Sequence, residues 1–407
     1  MADFYQNGVV TTLHNITRRS ADELDYELNS FARFRRLGLV LPSLYSELQA
    51  PALEKIVQEL QPVRYLKRIV IGLDRANESE FHHAKRYFDR LPQDHVILWN
   101  DGPRLMEIHN ALANEGLAPT ELGKGRNVWY CFGYVLAKAD LDGVALHDCD
   151  IVTYTRELLA RLIYPIAHPQ FNYAYAKGYY TRVGSDRNMN GRAARLFVTP
   201  LIRALKRVCG PSEYLDYLDT FRYPLCGEMA LRTGTLADLR IPSDWGLEIG
   251  ILSEMNRNYS TNRICQVDIA DIYDHKHQKL SANDSSTGLS RMTLDIALAL
   301  FRKLATEGSV FSNETFRTVK ATYLRIALDL IETYANDARM NGLSIDRHKE
   351  ERAVEVFSEN ILAAGSRFLD APMEAAYIPS WRRVVSAMPD IFEWIVEAVE
   401  ADNKNEV

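Results

Sequence analysis

The chain has 407 residues, of which 47% are hydrophobic and 25% charged, a composition typical of a soluble globular protein with an ample core. Its formal net charge of -6 argues against general affinity for nucleic acid. The five cysteines include no C-x-x-C pair, the N-terminus lacks the apolar core of a signal peptide, and no run approaches the roughly 20 apolar residues of a spanning helix. We therefore expect a cytoplasmic protein with free thiols that binds neither nucleic acid nor membranes.

Up to residue 150, predicted helices alternate with predicted strands. A capping-box spacing from Ser20 to Glu23 opens the first helix, which we expect to run to residue 36. Short apolar runs predict buried strands at residues 37–42, 66–73, 95–99 and 144–146. Further helices are predicted at residues 51–60, 78–90, 103–115 and 128–139. This alternation favours an α/β fold with a parallel, doubly wound sheet.

After residue 172 the pattern changes. Residues 173–223 are rich in Arg, Asn, Gly and Tyr, with one helix predicted at 197–209, and two apolar runs follow at 225–232 and 242–250. Beyond residue 288, apolar stripes at helical spacing predict helices at 290–305, 312–338, 346–364 and 388–399. These stripes are more numerous than one sheet face can cover, so we expect some of them to form a homodimer interface.

The predicted strand at 144–146 leads into two aspartates separated by one residue, Asp148 and Asp150. Ligands of open α/β sheets collect at the carboxyl ends of the strands, where these side chains should emerge. Paired carboxylates there suit a hard divalent cation, which in turn neutralises a diphosphate. The same spacing occurs at Asp140 and Asp142, but that pair precedes the strand, and we interpret it as a solvated turn.

Polar residues also follow other predicted strands. The segment Pro42-Ser43-Leu44-Tyr45-Ser46-Glu47 is either a nucleotide-binding turn or a turn whose glutamate only favours the next helix N-terminus. Asp74 is either a helix cap or a ligand of a ribose or base. Lys124, between two glycines, suits a phosphate, although such a tetrapeptide taken alone is more often a mobile loop.

Two later segments carry candidate ligands. His275 offers the imidazole nitrogen that a metal bound through Asp150 still lacks, and imidazole suits Mn²⁺ better than Mg²⁺. The alternative is a solvated turn. Gly191 and Arg192 offer a close backbone approach and a guanidinium, suited to a phosphate or carboxylate, or else they only begin a surface helix.

Taken in order, these motifs resemble the glucosyl-3-phosphoglycerate synthase family of retaining glycosyltransferases. The resemblance covers about residues 37–280 and rests on the motifs already quoted together with Val198-x-Pro200-Leu201, Gly227-Glu228 and Gly246-x-Glu248-Ile249-Gly250. It implies an α/β GT-A fold, a doubly wound mixed sheet with a helical C-terminal extension. It also implies Mg²⁺ or Mn²⁺ as cofactor, UDP-glucose or GDP-glucose as donor and 3-phosphoglycerate as acceptor.

The resemblance also assigns roles to single positions. Donor-binding positions are Pro42, Leu44, Glu47, Asp74, Lys124 and Asp148; metal ligands are Asp150 and His275; acceptor-binding positions are Gly191, Arg192, Trp245 and His277; catalytic positions are Glu248, Asp148 and Lys124. The chain departs from the family at several places. Tyr45 replaces an asparagine, Ala194 a threonine, Trp245 a tyrosine and His277 an asparagine.

On this basis we divide the chain into an N-terminal helical extension (1–36), a Rossmann-like half that binds the nucleotide sugar (37–172), an acceptor-binding half (173–288) and a helical C-terminal region (289–407). We expect the metal and Lys124 to stabilise the departing diphosphate. Retention without an obvious carboxylate nucleophile favours attack from the leaving group's own face, and a covalent role for Glu248 is the alternative.

Three other functions fit parts of the sequence. A retaining mannosyltransferase that uses GDP-mannose would share the fold and the metal. A sugar-phosphate nucleotidyltransferase would need a Gly-rich phosphate loop after the first strand, and Pro42–Glu47 lacks one. A helical scaffold built on the C-terminal third would leave the polar clusters before residue 280 unexplained.

Overall fold

The computed structural model describes residue 6 and residues 8–184, 186–243, 246–275, 288–372 and 377–404. The strands of this part of the chain are β1 (Thr11–Leu13), β2 (Leu37–Leu44), β3 (Leu66–Asp74), β4 (Asp94–Trp99), β5 (Gly143–Leu146), β6 (Tyr175–Tyr180), β7 (Met229–Arg232) and β8 (Ile264–Ala270). They form one sheet in the order β1-β8-β6-β7-β5-β2-β3-β4. All neighbours are parallel except β7, which runs antiparallel to both β5 and β6. The sheet is therefore mixed, as the family resemblance implied.

The helices of the described residues lie on both faces of the sheet and beyond its end. They are α1 (Ala21–Phe31), α2 (Pro51–Leu60), α3 (Glu78–Phe88), α4 (Pro103–Asn114), α5 (Lys124–Lys138), α6 (Arg156–Ala167), α7 (Thr199–Cys209), α8 (Glu213–Thr220), α9 (Leu247–Asn258), α10 (Gly288–Thr306), α11 (Asn313–Met340), α12 (Arg347–Asp370), α13 (Trp381–Ala387) and α14 (Ile391–Asn403). A π-helical segment, Ala193–Val198, runs directly into α7. None of the helices in these ranges combines the length and low charge that a membrane crossing requires.

Alternation along the central strands divides the core into two layers. In β2, Leu39 and Leu41 belong to the layer that contains α1, α2, α3 and α6, whereas Val40 belongs to the layer that contains α4 and α5. This follows from the period of two in a strand, whose successive side chains point to opposite faces. Because both faces are covered, the central strands are apolar along nearly their whole length.

The strand predicted at residues 37–42 is longer in the structure, where β2 continues through Pro42 to Leu44. A proline lacks the N–H that a central strand donates. β5, however, ends opposite Val40, and Pro42 has β3 as its one neighbouring strand. The missing donor is therefore tolerated as it would be at a sheet edge.

The apolar stripes of the C-terminal helices are covered within the chain. Helices α11 and α12 bury apolar side chains in the same core layer as α7 and the π-helical segment. These side chains include Phe316 and Tyr323 of α11 and Phe357 and Ile361 of α12. Trp381 of α13 stacks on Trp129 of α5, with 3.9 Å between the ring centroids. This contact packs α13 against α5. The stripes thus have an intramolecular explanation, and the homodimer interface predicted from them stays a prediction.

The structure confirms one local prediction and changes the bounds of several elements. The predicted capping box is confirmed, with both Ser20 and Glu23 bonded to each other's backbone. Helix α1 ends at Phe31 rather than at residue 36, and α5 begins at Lys124 rather than at residue 128. The elements α6, α8, α9, α13, β1, β6, β7 and β8 were not predicted. The N-terminal residues predicted to be helical also contribute β1, which pairs with β8. Strands from residues 37–172 and from residues 173–288 belong to one sheet. The sheet therefore does not mark separate domains, and the domain boundaries at residues 36, 172 and 288 stay predictions.

Candidate active site

A cavity of about 650 Å³ lies at the carboxyl ends of β2, β3 and β5. Its walls contain every described residue that the sequence predicted as a donor, acceptor, metal or catalytic site. They are Pro42, Leu44, Glu47, Asp74, Lys124, Asp148, Asp150, Gly191, Arg192, Glu248 and His275. Trp245 and His277 lie outside the described residues. Parallel strands bring side chains that are distant in sequence to a common edge, which explains this convergence.

Lys124 lies in the cavity wall, as the first residue of α5. Its Nζ is 2.5 Å from Asp148 Oδ1 and 3.2 Å from Glu248 Oε1. Burial disfavours the charged ammonium, but the two carboxylates outweigh it and hold the pKa of Lys124 above its ordinary value. The ammonium in turn holds the pKa of Asp148 below its usual range, against the effect of burial. Lys124 is thus a fixed cation, and its glycine neighbours form the start of a helix rather than a mobile loop.

Gly227 makes this cluster possible. A Cβ at this position would collide with Asp148 Oδ2 and lie 2.9 Å from Lys124 Nζ. Any side chain here would therefore displace the carboxylate of Asp148 or the ammonium of Lys124. The glycine explains why Gly227-Glu228 belongs to the motif set recognised in the sequence.

Asp150 and His275 form a second polar pair. Asp150 Oδ1 is 3.8 Å from His275 Nδ1, and a β-bridge between Ile151 and His275 holds the two segments together. Burial, together with the charge of Asp148, raises the pKa of Asp150 to about 7. A surplus of negative charge of this kind is relieved by a cation.

The pair fits a divalent metal of the Mg²⁺ or Mn²⁺ type. Within the described ranges, no group of three or more His, Cys, Asp or Glu side chains is arranged to hold a metal. Mg²⁺ characteristically takes few protein ligands and completes its shell with water and substrate phosphate oxygens. A carboxylate beside an imidazole, in a cavity large enough for a diphosphate, meets that requirement.

The predicted donor side of the cavity is formed by β2 and β3. Glu47 is buried in a short 3-10 turn, Tyr45–Gln49, that follows β2. Asp74, at the end of β3, is not a helix cap, because the side chain of Asn77 caps α3. Instead, Asp74 Oδ1 accepts hydrogen bonds from Asn100 at 2.9 Å and from Arg126 at 3.1 Å. Its carboxylate is therefore held rigidly at the cavity wall.

The predicted acceptor side contains Gly191 and Arg192. Gly191 has a φ of +81°, a conformation that favours glycine, and the π-helical segment begins two residues later. Arg192 Nε donates a hydrogen bond of 2.6 Å to Glu350 Oε1, and Arg195 Nη2 donates one of 2.9 Å to Glu350 Oε2. Arg192 is therefore not simply the first residue of a surface helix, because a buried carboxylate of α12 orients it.

The structure adds cavity residues that the sequence did not single out. They include Arg182 and Asn190 near Gly191, Tyr223, and Leu289, Arg291 and Met292 of α10. Arg291 pairs with Glu121 at 2.8 Å, on the loop that leads to Lys124. The C-terminal helices, to which the sequence assigned no functional role, thus contribute directly to the cavity wall. The other pair of aspartates with this spacing, Asp140 and Asp142, does not line the cavity. Asp140 forms ion pairs with Lys67 and Arg68, and Asp142 forms one with Arg36.

The chain closely resembles proteins of known activity. It is 47% identical over 406 residues to the glucosyl-3-phosphoglycerate synthase of Persephonella marina, covering 100% of both chains. It is 38% identical over 406 residues to the glucosyl-3-phosphoglycerate synthase of Methanococcoides burtonii, covering 99% of this chain and 98% of that relative. No protein-family model matches the chain.

A solved structure shares the fold. Glucosyl-3-phosphoglycerate synthase from Mycobacterium tuberculosis, in complex with Mn²⁺, UDP-glucose and phosphoglyceric acid, matches with a TM-score of 0.52 and 20% identity, over 73% of this chain and 88% of that chain. A structure of the same enzyme contains Mg²⁺ and UDP. This likeness confirms the predicted fold class, a GT-A-like mixed α/β sheet followed by a helical C-terminal region.

Proposed function

The chain belongs to the glucosyl-3-phosphoglycerate synthase family, and from this premise we propose that it transfers glucose from a nucleoside-diphosphate glucose to 3-phosphoglycerate. We further propose that transfer retains the configuration at the anomeric carbon and requires Mg²⁺ or Mn²⁺. The observation that carries the proposal is the convergence in one cavity of three features. These are Lys124 between two carboxylates, the Asp150–His275 pair, and Gly191 with Arg192.

We propose that the donor lies against the cavity walls that β2 and β3 provide. Pro42, Leu44 and Glu47 line one side of the cavity and Asp74 the next, where a nucleoside can lie against them. We propose UDP-glucose ahead of GDP-glucose, because the similar enzyme from M. tuberculosis is in complex with UDP-glucose. The anionic diphosphate then points toward Lys124.

Asp150 and His275 would hold the metal ion. When bound, the ion supplies a Lewis acid that offsets charge on the diphosphate. Lys124 adds a cation whose position is set before the donor binds, because Asp148 and Glu248 hold it from two sides. A cation that is already in position when the leaving group gains charge can stabilise the transition state strongly, because the site does not have to reorganise.

The state of Glu248, the carboxylate that could otherwise act as a nucleophile, supports the proposal of retention. Glu248 Oε1 is engaged by Lys124 and its side chain is largely buried, so this carboxylate serves to orient the lysine and the sugar hydroxyls. The acceptor hydroxyl then attacks from the face that the diphosphate leaves, and a diphosphate oxygen takes its proton. A covalent glucosyl-Glu248 intermediate is the alternative, and it requires that the bond to Lys124 break first.

We propose that the acceptor binds at Gly191 and Arg192. The first N–H groups of a helical run lack intrahelical partners and, together with a guanidinium, favour a doubly charged phosphate. Arg192 is set in position by Glu350. These features support 3-phosphoglycerate over unphosphorylated glycerate.

Steady-state transfer assays test the proposal. We expect the purified full-length chain to convert UDP-glucose and 3-phosphoglycerate to an α-glucoside, identified by the anomeric coupling in the proton NMR spectrum. GDP-glucose, GDP-mannose and glycerate serve as competing substrates, and chelation with later addition of Mg²⁺ or Mn²⁺ tests the metal. Inverted product, full turnover in excess chelator or preference for GDP-mannose would each contradict a part of the proposal. Light scattering at micromolar concentrations tests the homodimer, which we retain as a separate proposal.

A further inference from the structure

Arg182 lies in the cavity wall beside the predicted acceptor site, although the sequence did not mark it. It follows β6 by two residues, and its carbonyl oxygen accepts a hydrogen bond of 2.9 Å from the backbone N–H of Asn190. A β-bridge between Val183 and Met189 closes the same loop. The chain therefore folds back and brings Arg182 against Gly191, where an added Cβ would lie 3.3 Å from the Cβ of Arg182.

The charge of Arg182 is unmatched in the described part of the chain. Three other cations of the cavity wall have carboxylate partners, since Lys124 pairs with Asp148, Arg192 with Glu350 and Arg291 with Glu121. Arg182 makes no ion pair with any described residue, and its Nη1 donates only a long hydrogen bond of 3.3 Å to Tyr223 Oη. Its Nε is shielded from solvent and has no hydrogen-bond partner among those residues.

An arginine donor in this state indicates a missing anion. A charged donor that is withdrawn from water without a partner carries a desolvation cost, and native proteins accept such costs mainly where a ligand completes the contact. The wall of a substrate cavity is such a place. Tyr223 Oη, which is 3.4 Å from a Cβ built at Gly191, provides a neutral polar neighbour on the same side.

We propose that Arg182 binds the carboxylate of the acceptor, while Gly191 and Arg192 hold its phosphate. This inference rests on the proposed function, in which the acceptor carries both groups. The helix N-terminus beside Arg192 suits the doubly charged phosphate. One anionic group remains, and the planar guanidinium of Arg182 matches a planar carboxylate. The two arginines would thus select an acceptor charged at both ends.

Acceptor affinities of Arg182→Met and Arg182→Lys test this assignment. The ligands are 3-phosphoglycerate, glycerol 3-phosphate, which lacks the carboxylate, and glycerate, which lacks the phosphate, each titrated calorimetrically into full-length protein saturated with UDP and Mn²⁺. We expect Arg182→Met to weaken 3-phosphoglycerate by about 10- to 100-fold, as for loss of a charge-assisted contact. Glycerol 3-phosphate should bind wild type and variant alike, and the affinity for UDP should not change. Arg182→Lys should recover part of the loss.

Arg222 supplies a matched control. Its guanidinium lies over the ring of Tyr179, 5.1 Å from the centroid, and it does not line the cavity. Arg222→Met should therefore leave all three affinities unchanged. Equal weakening of every ligand by Arg182→Met would show a structural role, and a loss confined to phosphate-bearing ligands would reverse the assignment; either overturns the inference.

The same titrations separate failure of the inference from failure of the proposed function. If wild type binds 3-phosphoglycerate but forms no glucoside, the proposed function fails while the role of Arg182 in binding is still decided by the variant. If wild type binds none of the three ligands, the inference fails as well. Circular dichroism and thermal unfolding confirm that each variant is folded before it is titrated.

Discussion

Glu350 is the residue through which the C-terminal helices should influence the acceptor site. It lies in α12, its side chain is 1% exposed, and its two carboxylate oxygens accept hydrogen bonds from Arg192 and Arg195 at 2.6 and 2.9 Å. Arg195 also lies over the ring of Tyr334, 4.8 Å from the centroid. Replacing Glu350 by Gln keeps the shape of the side chain but removes its charge and one acceptor oxygen.

The cost of Glu350→Gln can be worked from these contacts. Breaking a buried ion pair costs about 3–5 kcal/mol of unfolding free energy, because the partner charge is left uncompensated. The side chain of Arg192 is 34% exposed, and water can replace part of its contact. We therefore expect the lower end, about 3 kcal/mol. Loss of the orientation of Arg192 should weaken one charge-assisted acceptor contact of about 1.5–3 kcal/mol, which corresponds to a rise of about 10- to 100-fold in the KM for 3-phosphoglycerate.

Urea unfolding and steady-state kinetics check both numbers. The KM for the nucleotide sugar should stay within about twofold of wild type, because the contacts of Lys124 and Asp148 are untouched. Glu351→Gln is the control, since Glu351 neighbours Glu350 in α12 but pairs with Arg347 on the surface, where such pairs contribute little. An unchanged acceptor KM in a destabilised Glu350→Gln enzyme would refute the idea that Glu350 positions Arg192 for catalysis.

Four further outcomes are expected. Asp150→Asn should abolish metal-dependent transfer with the fold intact, whereas the control Asp142→Asn should not; turnover of Asp150→Asn in excess chelator at the wild-type rate would contradict the metal site. Gly227→Ala should lower kcat/KM by about 100-fold or more because its Cβ displaces Lys124 from Asp148, while Gly234→Ala, whose Cβ has no atom of the described residues within 4 Å, should be neutral. Arg192→Lys should raise the acceptor KM and leave nucleotide-sugar binding nearly unchanged, because lysine does not reproduce the guanidinium contact; a normal acceptor KM would exclude that contact. Burial lowers the pKa of His147 to about 3, so the unfolded chain takes up a proton below pH 6.5 that the native chain does not, and stability should fall as pH falls. His147→Leu should remove about 2 kcal/mol of the loss in unfolding free energy between pH 7 and pH 5, and an identical pH slope in the variant would contradict this.

The sequence alone was sufficient to predict strands β2 to β5 and the polar residues at their carboxyl ends. Short apolar runs that end in Asp74 or lead into Asp148 predict buried strands, because burial on both faces requires apolar residues. The carboxylates mark the strand ends, because these are the first places where a charged side chain can reach water. The structure brings these residues together with Lys124, Glu248 and His275, as the family resemblance implied. Their roles as ligands and catalysts stay predictions.

The strands of the second half were harder to predict because polar residues occupy their interior. β6 contains Lys177, which is fully buried and donates a hydrogen bond of 2.6 Å to the carbonyl oxygen of Cys226. A lysine at that position gives no apolar period, and its partner is distant in sequence. Such a strand is specified by a tertiary hydrogen bond rather than by local pattern.

The orientation of Arg192, at the proposed acceptor site, was likewise decided only by the tertiary structure. Glu350 is 158 residues from Arg192, in the polar start of a helix whose buried apolar residues begin only at Ala353. A glutamate is expected on the exposed face of such a helix, and burial becomes acceptable only when two guanidiniums compensate its charge. Local sequence therefore determined which residues end the strands, because strand burial is a short-range pattern. Only the folded chain determined which charges are paired and which, like Arg182, are left for a substrate, because charge pairing depends on distances between segments remote in sequence.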